Sequence, residues 1–225
     1  MERGFDILFS GLALLFLSPL LVPIVIILRL SGEGEVFFLQ ERIGKDGKLF
    51  KLFKFATMLK DSPNLGTGTV TMRGDPRVLP VGKFLRKTKI NELPQLLNIF
   101  FGDMSVIGPR PLTTQTFGSY SPATQNVVKQ VRPGLSGVGS IIFRGEEEIM
   151  HGATASVDFY DAVIAPYKGA LEEWFVSNKS LYIYFMAIFT TIWAVLFSKT
   201  KVAWIVFKDL PEPPEELKLV LNYKE

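Results

Sequence analysis

The strongest constraint on this chain is an uncharged apolar run near its start. From Ile7 to Leu28 the residues read ILFSGLALLFLSPLLVPIVIIL, about 22 positions, which at 1.5 Å rise per residue is long enough to cross the hydrocarbon of a bilayer. A cleaved signal peptide has a shorter apolar core, and no small-x-small cleavage motif follows before Arg29, so the run is expected to remain as a membrane segment. Pro19 and Pro23 each remove a backbone donor and crowd the carbonyl four residues earlier, so a kink is expected, with Ser18 placed to give a hydroxyl to a freed carbonyl. A kinked helix can cross the membrane or turn back to the face it entered. Arg3 precedes the run while Arg29 and Arg42 follow it, so the basic flanks select neither course.

A second uncharged stretch, Leu181 to Ser198, is about 18 residues long and rich in Tyr, Trp and Thr. That is the minimum for a span and suits a helix lying in the interface, the reading preferred here. Pro211 to Pro214 and a short charged tail follow, expected to be surface-exposed and without chemistry. The remaining composition excludes whole classes of site. A chain of 225 residues holds one domain or a domain and a half; without cysteine it has no disulfide, thiolate nucleophile or zinc finger. Its one histidine, His151, cannot supply a multi-imidazole metal site and is expected to be structural or solvated. With 25 Lys and Arg against 22 Asp and Glu, nucleic acid is not an expected partner.

Function must then reside in the roughly 150 residues between the apolar segments. Glu35–Gln40 and Lys48–Met58 are apolar, aromatic runs separated by Gly44–Gly47, the pattern of a hairpin. Lysines 48, 51 and 54 recur among Phe and Leu, suiting either a basic surface on anionic headgroups or a half-buried strand with snorkelling lysines. Residues 61–74 are rich in Gly, Ser, Thr, Asn and Pro and read as a loop; 134–151 read as a second. Pro80–Lys87 reads as a short basic helix. A further helix is expected to begin at Asn91 as N-cap, with Glu92 in its first turn, and to end at Gly102.

The chemistry-bearing groups gather around that helix start. Arg77, Lys83, Arg86, Lys87 and Lys89 precede it, Arg110 lies between two prolines in Gly108-Pro-Arg-Pro111, and Arg132-Pro-Gly134 comes later. An arginine on a stiff backbone offers a fork of donors matched to phosphate oxygens, so a phosphate-bearing substrate is inferred; solvated or ion-paired surface residues are the alternative. Nearby carboxylates are Asp75, Glu92 and Asp103, with Glu146–Glu148, Asp158 and Asp161 further on. Glu92 is the best placed to ligate a metal or act as base or nucleophile; its bland role is a helix-start charge. The Glu triplet reads as a solvated helix start.

Nine motifs occur in order: Phe5-Asp6, Ser18-Pro19, Gln40-Glu-Arg-Ile-Gly44, Lys54-Phe-Ala-Thr-Met58, Glu92-Leu-Pro-Gln-Leu96, Gly102-Asp-Met-Ser105, Gly108-Pro-Arg-Pro-Leu112, Arg132-Pro-Gly134 and Asn178-Lys-Ser180. The chain resembles the bacterial sugar transferases that are monotopic polyprenyl-phosphate phosphoglycosyl transferases. The resemblance implies transfer of a sugar 1-phosphate from a UDP-sugar to polyprenyl (undecaprenyl) phosphate with release of UMP, as the first membrane step of surface glycan assembly. It further implies Mg²⁺ as cofactor, the cytoplasmic face of the bacterial inner membrane as location, and a re-entrant N-terminal helix that breaks at Ser18 and Pro19. The expected fold is α+β and mainly helical. Its parts are a membrane re-entrant helix (1–30), a cytoplasmic-face catalytic domain with a small β-hairpin (31–180), interfacial amphipathic helices (181–207) and a tail (208–225). Expected partners are the UDP-sugar, polyprenyl phosphate and the membrane, with a homodimer compatible.

The family's catalytic pair is Asp-Glu directly before Leu-Pro-Gln-Leu; here it is Asn91-Glu92. Two further departures are Ala56, where the family has Arg or Lys, and Val138-Gly-Ser140. Arg86 and Arg110 match the family's phosphate-holding arginines, with Arg132 added as a third, and Glu92 is the metal candidate. The readings left open by Asn91 are a subgroup that uses Glu92 as nucleophile or base, an engineered change, or a catalytically inactive member acting as a lipid-phosphate-binding or glycosyltransferase-scaffolding protein.

Overall fold

The computed structural model describes residues 2–62, 75–144, 157–197 and 201–223. The apolar run forms one helix, α1 (Glu2–Leu30), with both prolines inside it. Ser18 Oγ donates to Leu15 O at 2.7 Å, and Leu15 is the residue whose carbonyl Pro19 leaves without its helical donor. Leu15 and Phe16 are 67% and 76% exposed, so the helix presents its apolar surface outward. The helix runs on through Ser18 and Pro19 as a single element; it is long and apolar enough to cross a membrane.

Two compact units divide the chain. One comprises residues 7–41 and 51–101, the other 1–6, 42–50 and 102–225. The hairpin forms as expected: β1 (Phe37–Ile43), a 3₁₀ turn (Lys45–Gly47) and β2 (Leu49–Phe55). In the first unit, Ile24 and Leu28 from the end of α1 pack with Phe55 of β2 and Leu85 of α2 (Pro80–Lys87), joined by Val36, Val81 and Ile90. The buried Asn98 amide of α3 (Gln95–Phe101) clamps β2: its Oδ1 accepts from Phe53 N at 2.9 Å, and its Nδ2 donates to Lys51 O at 2.8 Å. α3 ends where expected, before Gly102 at φ 104°. Its start differs: Asn91 caps nothing, because Lys89 takes a left-handed φ of 59° and opens a 3₁₀ turn over Ile90–Glu92, with Pro94 next in line. The missing proline donor suits the first turn of a helix, so the α-helix begins after it.

The second unit holds a parallel pair that the sequence did not announce, β3 (Ser105–Ile107) with β4 (Gly134–Ser136), in register Ser105↔Gly134 and Ile107↔Ser136. The stretch read as a loop from Gly134 is therefore strand and helix as far as it is described; residues 145–156, with Glu146–Glu148 and His151, lie outside the described residues, as do 63–74 of the other expected loop. In chain order α4 (Thr114–Gly118) and α5 (Pro122–Val128) lie between the two strands, and α6 (Val138–Ile142) follows β4. They are followed by α7 (Val157–Phe159), which passes through a π-helical turn at Tyr160–Ile164 into α8 (Ala165–Ser177). Then come α9 (Leu181–Leu196), α10 (Val202–Val206) and α11 (Glu215–Lys218). Leu112, Tyr120, Val128 and Ala165 form one core cluster. At 16 residues α9 falls short of a span; it buries Tyr184, Ala187, Thr190 and Ala194 and exposes Phe189, Ile192 and Leu196. The C-terminal tail is not loose. Leu217 is fully buried, Tyr167 OH donates to Pro211 O at 2.9 Å, and Trp204 Nε1 donates to Leu221 O. Its apolar residues occur too sparsely to show a helical period, which is why it read as solvent-exposed.

Asp6 ties this second unit together. Its Oδ1, on a side chain 1% exposed, accepts from Ser105 Oγ, Val106 N and Tyr184 OH, each at 2.9 Å. One carboxylate thus fixes the start of α1, the strand β3 and the helix α9. Removing it strands three buried donors, each costing about 1 to 3 kcal/mol. Asp6→Ala is expected to lower stability by at least about 3 kcal/mol in denaturant unfolding of the detergent-solubilised chain; Asp6→Asn, which keeps an acceptor oxygen, is expected to lose clearly less.

Candidate active site

In the first unit, the 3₁₀ turn after Lys89 presents two neighbouring side chains in opposite senses. Asn91 is buried, at 9% exposure, and its Oδ1 meets no hydrogen-bond partner among the described residues. The Glu92 side chain is 36% exposed, and its Oε1 lies 3.4 Å from Lys54 Nζ, which reaches it from β2. Lys54 therefore belongs with the candidate acid; the expectation of a lysine spread on headgroups holds at most for the exposed Lys48 and Lys51. The recurrence of lysine every three residues gave no sign of this, because the partner is 38 residues away. Ala56 is buried beside Lys54 in sequence and adds no charge there. Arg86, on the last turn of α2, is half-buried with Nη1 3.6 Å from Met58 Sδ, a weak contact that leaves a charged fork on the same unit as Glu92.

Not every basic residue singled out from sequence is available for substrate. Arg77 is 5% exposed and makes a bidentate pair with Asp75, Nε to Oδ1 at 2.9 Å and Nη2 to Oδ2 at 2.6 Å, while Nη1 donates to Ser62 O. That pair is structural, and it removes both Arg77 and Asp75 from the candidates. Lys83 and Lys87 are exposed, as are Asp103, Asp158 and Asp161.

In the second unit, the loop Gly108–Leu112 has its backbone pinned along its whole length. Gly108 N donates to Ser136 O at 2.9 Å and Pro109 O accepts from Gly134 N at 2.7 Å. Arg110 N donates to Glu172 Oε1 at 3.4 Å, Pro111 O accepts from Arg42 Nη1 at 3.1 Å, and Leu112 O accepts from Ile43 N at 2.9 Å. Gly134 of the Arg132-Pro-Gly motif must be glycine here, since a Cβ on it would collide with the Gly108 nitrogen. The Arg110 side chain itself is exposed. A guanidinium on so fixed a backbone is organised for an oxyanion before it arrives. Arg132 is engaged through Nε with Gly102 O at 2.8 Å.

Sequence reasoning missed Glu172. It is 3% exposed, its Oε2 has no partner among the described residues, and burial pushes its carboxyl up to about 7 against the lesser opposing pull of the Arg110 N–H and the charges of Lys168 and Arg110. Nothing in the run ALEEWF distinguishes it from Glu173 beside it; only its spacing to the buried Lys168 and Leu171 on α8 placed it inward.

The divalent cation that the resemblance implies meets a sparse set of donors here. Among the described residues no group of three Asp, Glu, His or Cys could enclose one. Mg²⁺ usually keeps several waters and takes one or two carboxylates plus substrate phosphates. The exposed Glu92 carboxylate and the unpartnered amide oxygen of Asn91 fit that smaller requirement.

Comparison with known proteins agrees with this arrangement of motifs. The family model for bacterial sugar transferases matches residues 1–198. The exopolysaccharide production protein ExoY of Rhizobium meliloti is 34% identical over 212 residues, covering 88% of this chain and 86% of that protein. The UDP-glucose:undecaprenyl-phosphate glucose-1-phosphate transferase of Escherichia coli is 38% identical over 162 residues, covering 71% of this chain but 35% of that protein. The UDP-N-acetylgalactosamine-undecaprenyl-phosphate N-acetylgalactosaminephosphotransferase of Aeromonas hydrophila is 34% identical over 197 residues, 87% of this chain and 43% of its own length. The chain belongs to the bacterial sugar transferase family.

The buried Glu172 makes a measurable prediction. Its folded-state value lies above the ordinary 4.5, so between pH 4.5 and about 7 the native protein holds more protons than the unfolded chain, and stability falls as pH rises through that window. The full penalty, about 3 kcal/mol, is present above it. Glu172→Gln stays neutral at every pH. Its stability relative to the wild type is expected to rise by about 3 kcal/mol across that window and then level off, as read by denaturant unfolding at a series of pH values.

Proposed function

We propose that this chain transfers a sugar 1-phosphate from a UDP-sugar to polyprenyl phosphate, releasing UMP, and so begins the assembly of a surface glycan at a membrane. The observation that carries the proposal is the exposed Glu92 carboxylate, held beside Lys54 on the turn before Leu-Pro-Gln-Leu, in a chain whose relatives are named for this transfer. In direct attack an oxygen of the lipid phosphate bonds to the sugar-bearing phosphorus as the diphosphate bridge breaks and UMP leaves with the bridging oxygen; if Glu92 attacks first, UMP leaves in the same way and a lipid-phosphate oxygen then displaces the Glu92 carboxylate from that phosphorus. Asn91 has an amide where a nucleophilic carboxylate would serve, so Glu92 takes the central role, as nucleophile or as base for direct attack. Arg86, Arg110 and Arg132 are assigned to the substrate phosphates, with Lys54 supplying a further positive charge near Glu92. Mg²⁺, held by Glu92 with the Asn91 amide oxygen, would neutralise the diphosphate.

For the membrane, the proposed arrangement has α1 entering the bilayer and returning at Ser18 and Pro19, with α9 and α10 lying in the interface on the cytoplasmic face of the inner membrane. The Ser18 to Leu15 hydrogen bond covers the carbonyl that Pro19 leaves without a donor, which a bend at that point would require in lipid. A lipid substrate confined to headgroup level then meets a soluble nucleotide at one site. A second copy of the chain is compatible with this placement.

Turnover is tested by UMP release from a panel of UDP-sugars with polyprenyl phosphate, with and without Mg²⁺. Glu92→Gln is expected to abolish release and Asn91→Asp to leave it unharmed or raise it. Release by no UDP-sugar from a folded sample would support the inactive, lipid-phosphate-binding reading that Asn91 raises. For topology, the cysteine-free chain accepts single cysteines before Ile7 and after Arg29; an impermeant thiol reagent is expected to label both from one face, and labelling from opposite faces contradicts re-entry.

A further inference from the structure

Glu172 is a buried carboxylate with an unusual address. It sits on α8, its Oε1 receives the backbone N–H of Arg110, its Oε2 is unpartnered among the described residues, and the cationic groups acting on it are Lys168, one turn earlier on α8, and Arg110 itself. The backbone of α6 closes against it: a Cβ on Gly139 would stand 2.6 Å from Oε1. Burying such a group costs stability, and an apolar side chain of the same size would pack there without that cost. The other backbone ties of the Gly108–Leu112 loop come from main chain or from Arg42, and Glu172 is the one acidic side chain among them. The Arg110 amide lies one bond from the Cα that carries the side chain, so holding it fixes the point and direction from which that side chain starts.

We propose that Glu172 is a positioning residue: by accepting the Arg110 N–H it aims the Arg110 guanidinium at the diphosphate of the substrate. The inference rests on the phosphate role given to Arg110 under Proposed function. Glu172 itself touches no substrate. Gly139 is the complementary part of the device, since its missing side chain leaves the carboxylate room to reach the amide.

The test is calorimetric binding of inorganic pyrophosphate to the full-length chain in detergent, in wild type, Glu172→Met, Glu172→Gln, Arg110→Ala and the Glu172→Met/Arg110→Ala double variant. Glu172→Met keeps the volume and removes the acceptor; it is expected to weaken binding about tenfold, the scale of a contact misplaced by a fraction of an ångström. Glu172→Gln, which keeps an acceptor oxygen, is expected to recover most of that loss. In the Arg110→Ala background the Glu172→Met loss is expected to vanish, because there is no longer a fork to aim. Gly139→Ala, which displaces the carboxylate without removing it, is expected to match Glu172→Met and answers the question independently if the latter fails to fold. Wild-type binding by Glu172→Met and Gly139→Ala, or an undiminished loss in the Arg110→Ala background, overturns the proposal. If the wild type does not bind pyrophosphate, or Arg110→Ala binds it equally, the phosphate reading beneath the proposal fails instead, and the proposal with it.

Discussion

The structure depends first on the need to cover α1. A helix of 29 residues that leaves Leu15 and Phe16 mostly exposed offers a surface that a bilayer would cover at no polar cost, because the backbone bonds within the helix itself. The two ends of the same helix are then committed differently. Near its C-terminal end Ile24 and Leu28 enter the core that positions β2 and α2, and with them Lys54 and Arg86. At its N-terminal end Asp6 holds β3 and α9. The same helix therefore contributes apolar residues to the core of one unit and a buried carboxylate to the other.

How much of this was legible in the sequence follows from the range of the interactions. The apolar run, the hairpin around Gly44–Gly47, the basic helix Pro80–Lys87 and the stop at Gly102 are all written in short windows of propensity, period and turn chemistry, and they form where expected. The parallel strands β3 and β4 are three residues each, too short for alternation to register, and their pairing depends on chain segments far apart. The start of α3 was misplaced because Asn91 is a good cap by type; what decides is the left-handed Lys89 before it and Pro94 after it. Arg77 looked like one of a basic cluster, and only the fold shows that Asp75, two residues away, consumes it. The motifs located the candidate site, but they could not tell a guanidinium spent on structure from one left for substrate.

The two parts of the candidate site differ in how they are built. Around Glu92 there is one ion pair at 3.4 Å, partial exposure and an unpartnered amide oxygen. A partly exposed pair of this kind contributes little to stability, roughly 1 kcal/mol or less. Around Arg110 the opposite holds: a backbone bonded at every residue from Gly108 to Leu112 presents an exposed side chain.

Asn91 sharpens that contrast. An amide in place of a carboxylate removes one negative charge from a place where a diphosphate must approach, and the buried side chain leaves its oxygen unpaired among the described residues. An orphaned buried acceptor costs free energy in the free protein, about 1 to 3 kcal/mol, and the cost is recovered when a cation or a donor on a ligand meets it. Glu172 shows the same pattern on the other unit, with a buried carboxylate oxygen unpaired. Two buried oxygens left unsatisfied beside the motifs that define the family are costs that stability alone would have removed. The cost at Asn91 is accounted for if its oxygen awaits a cation or a donor, and the cost at Glu172 by the bond its other oxygen accepts from the Arg110 N–H.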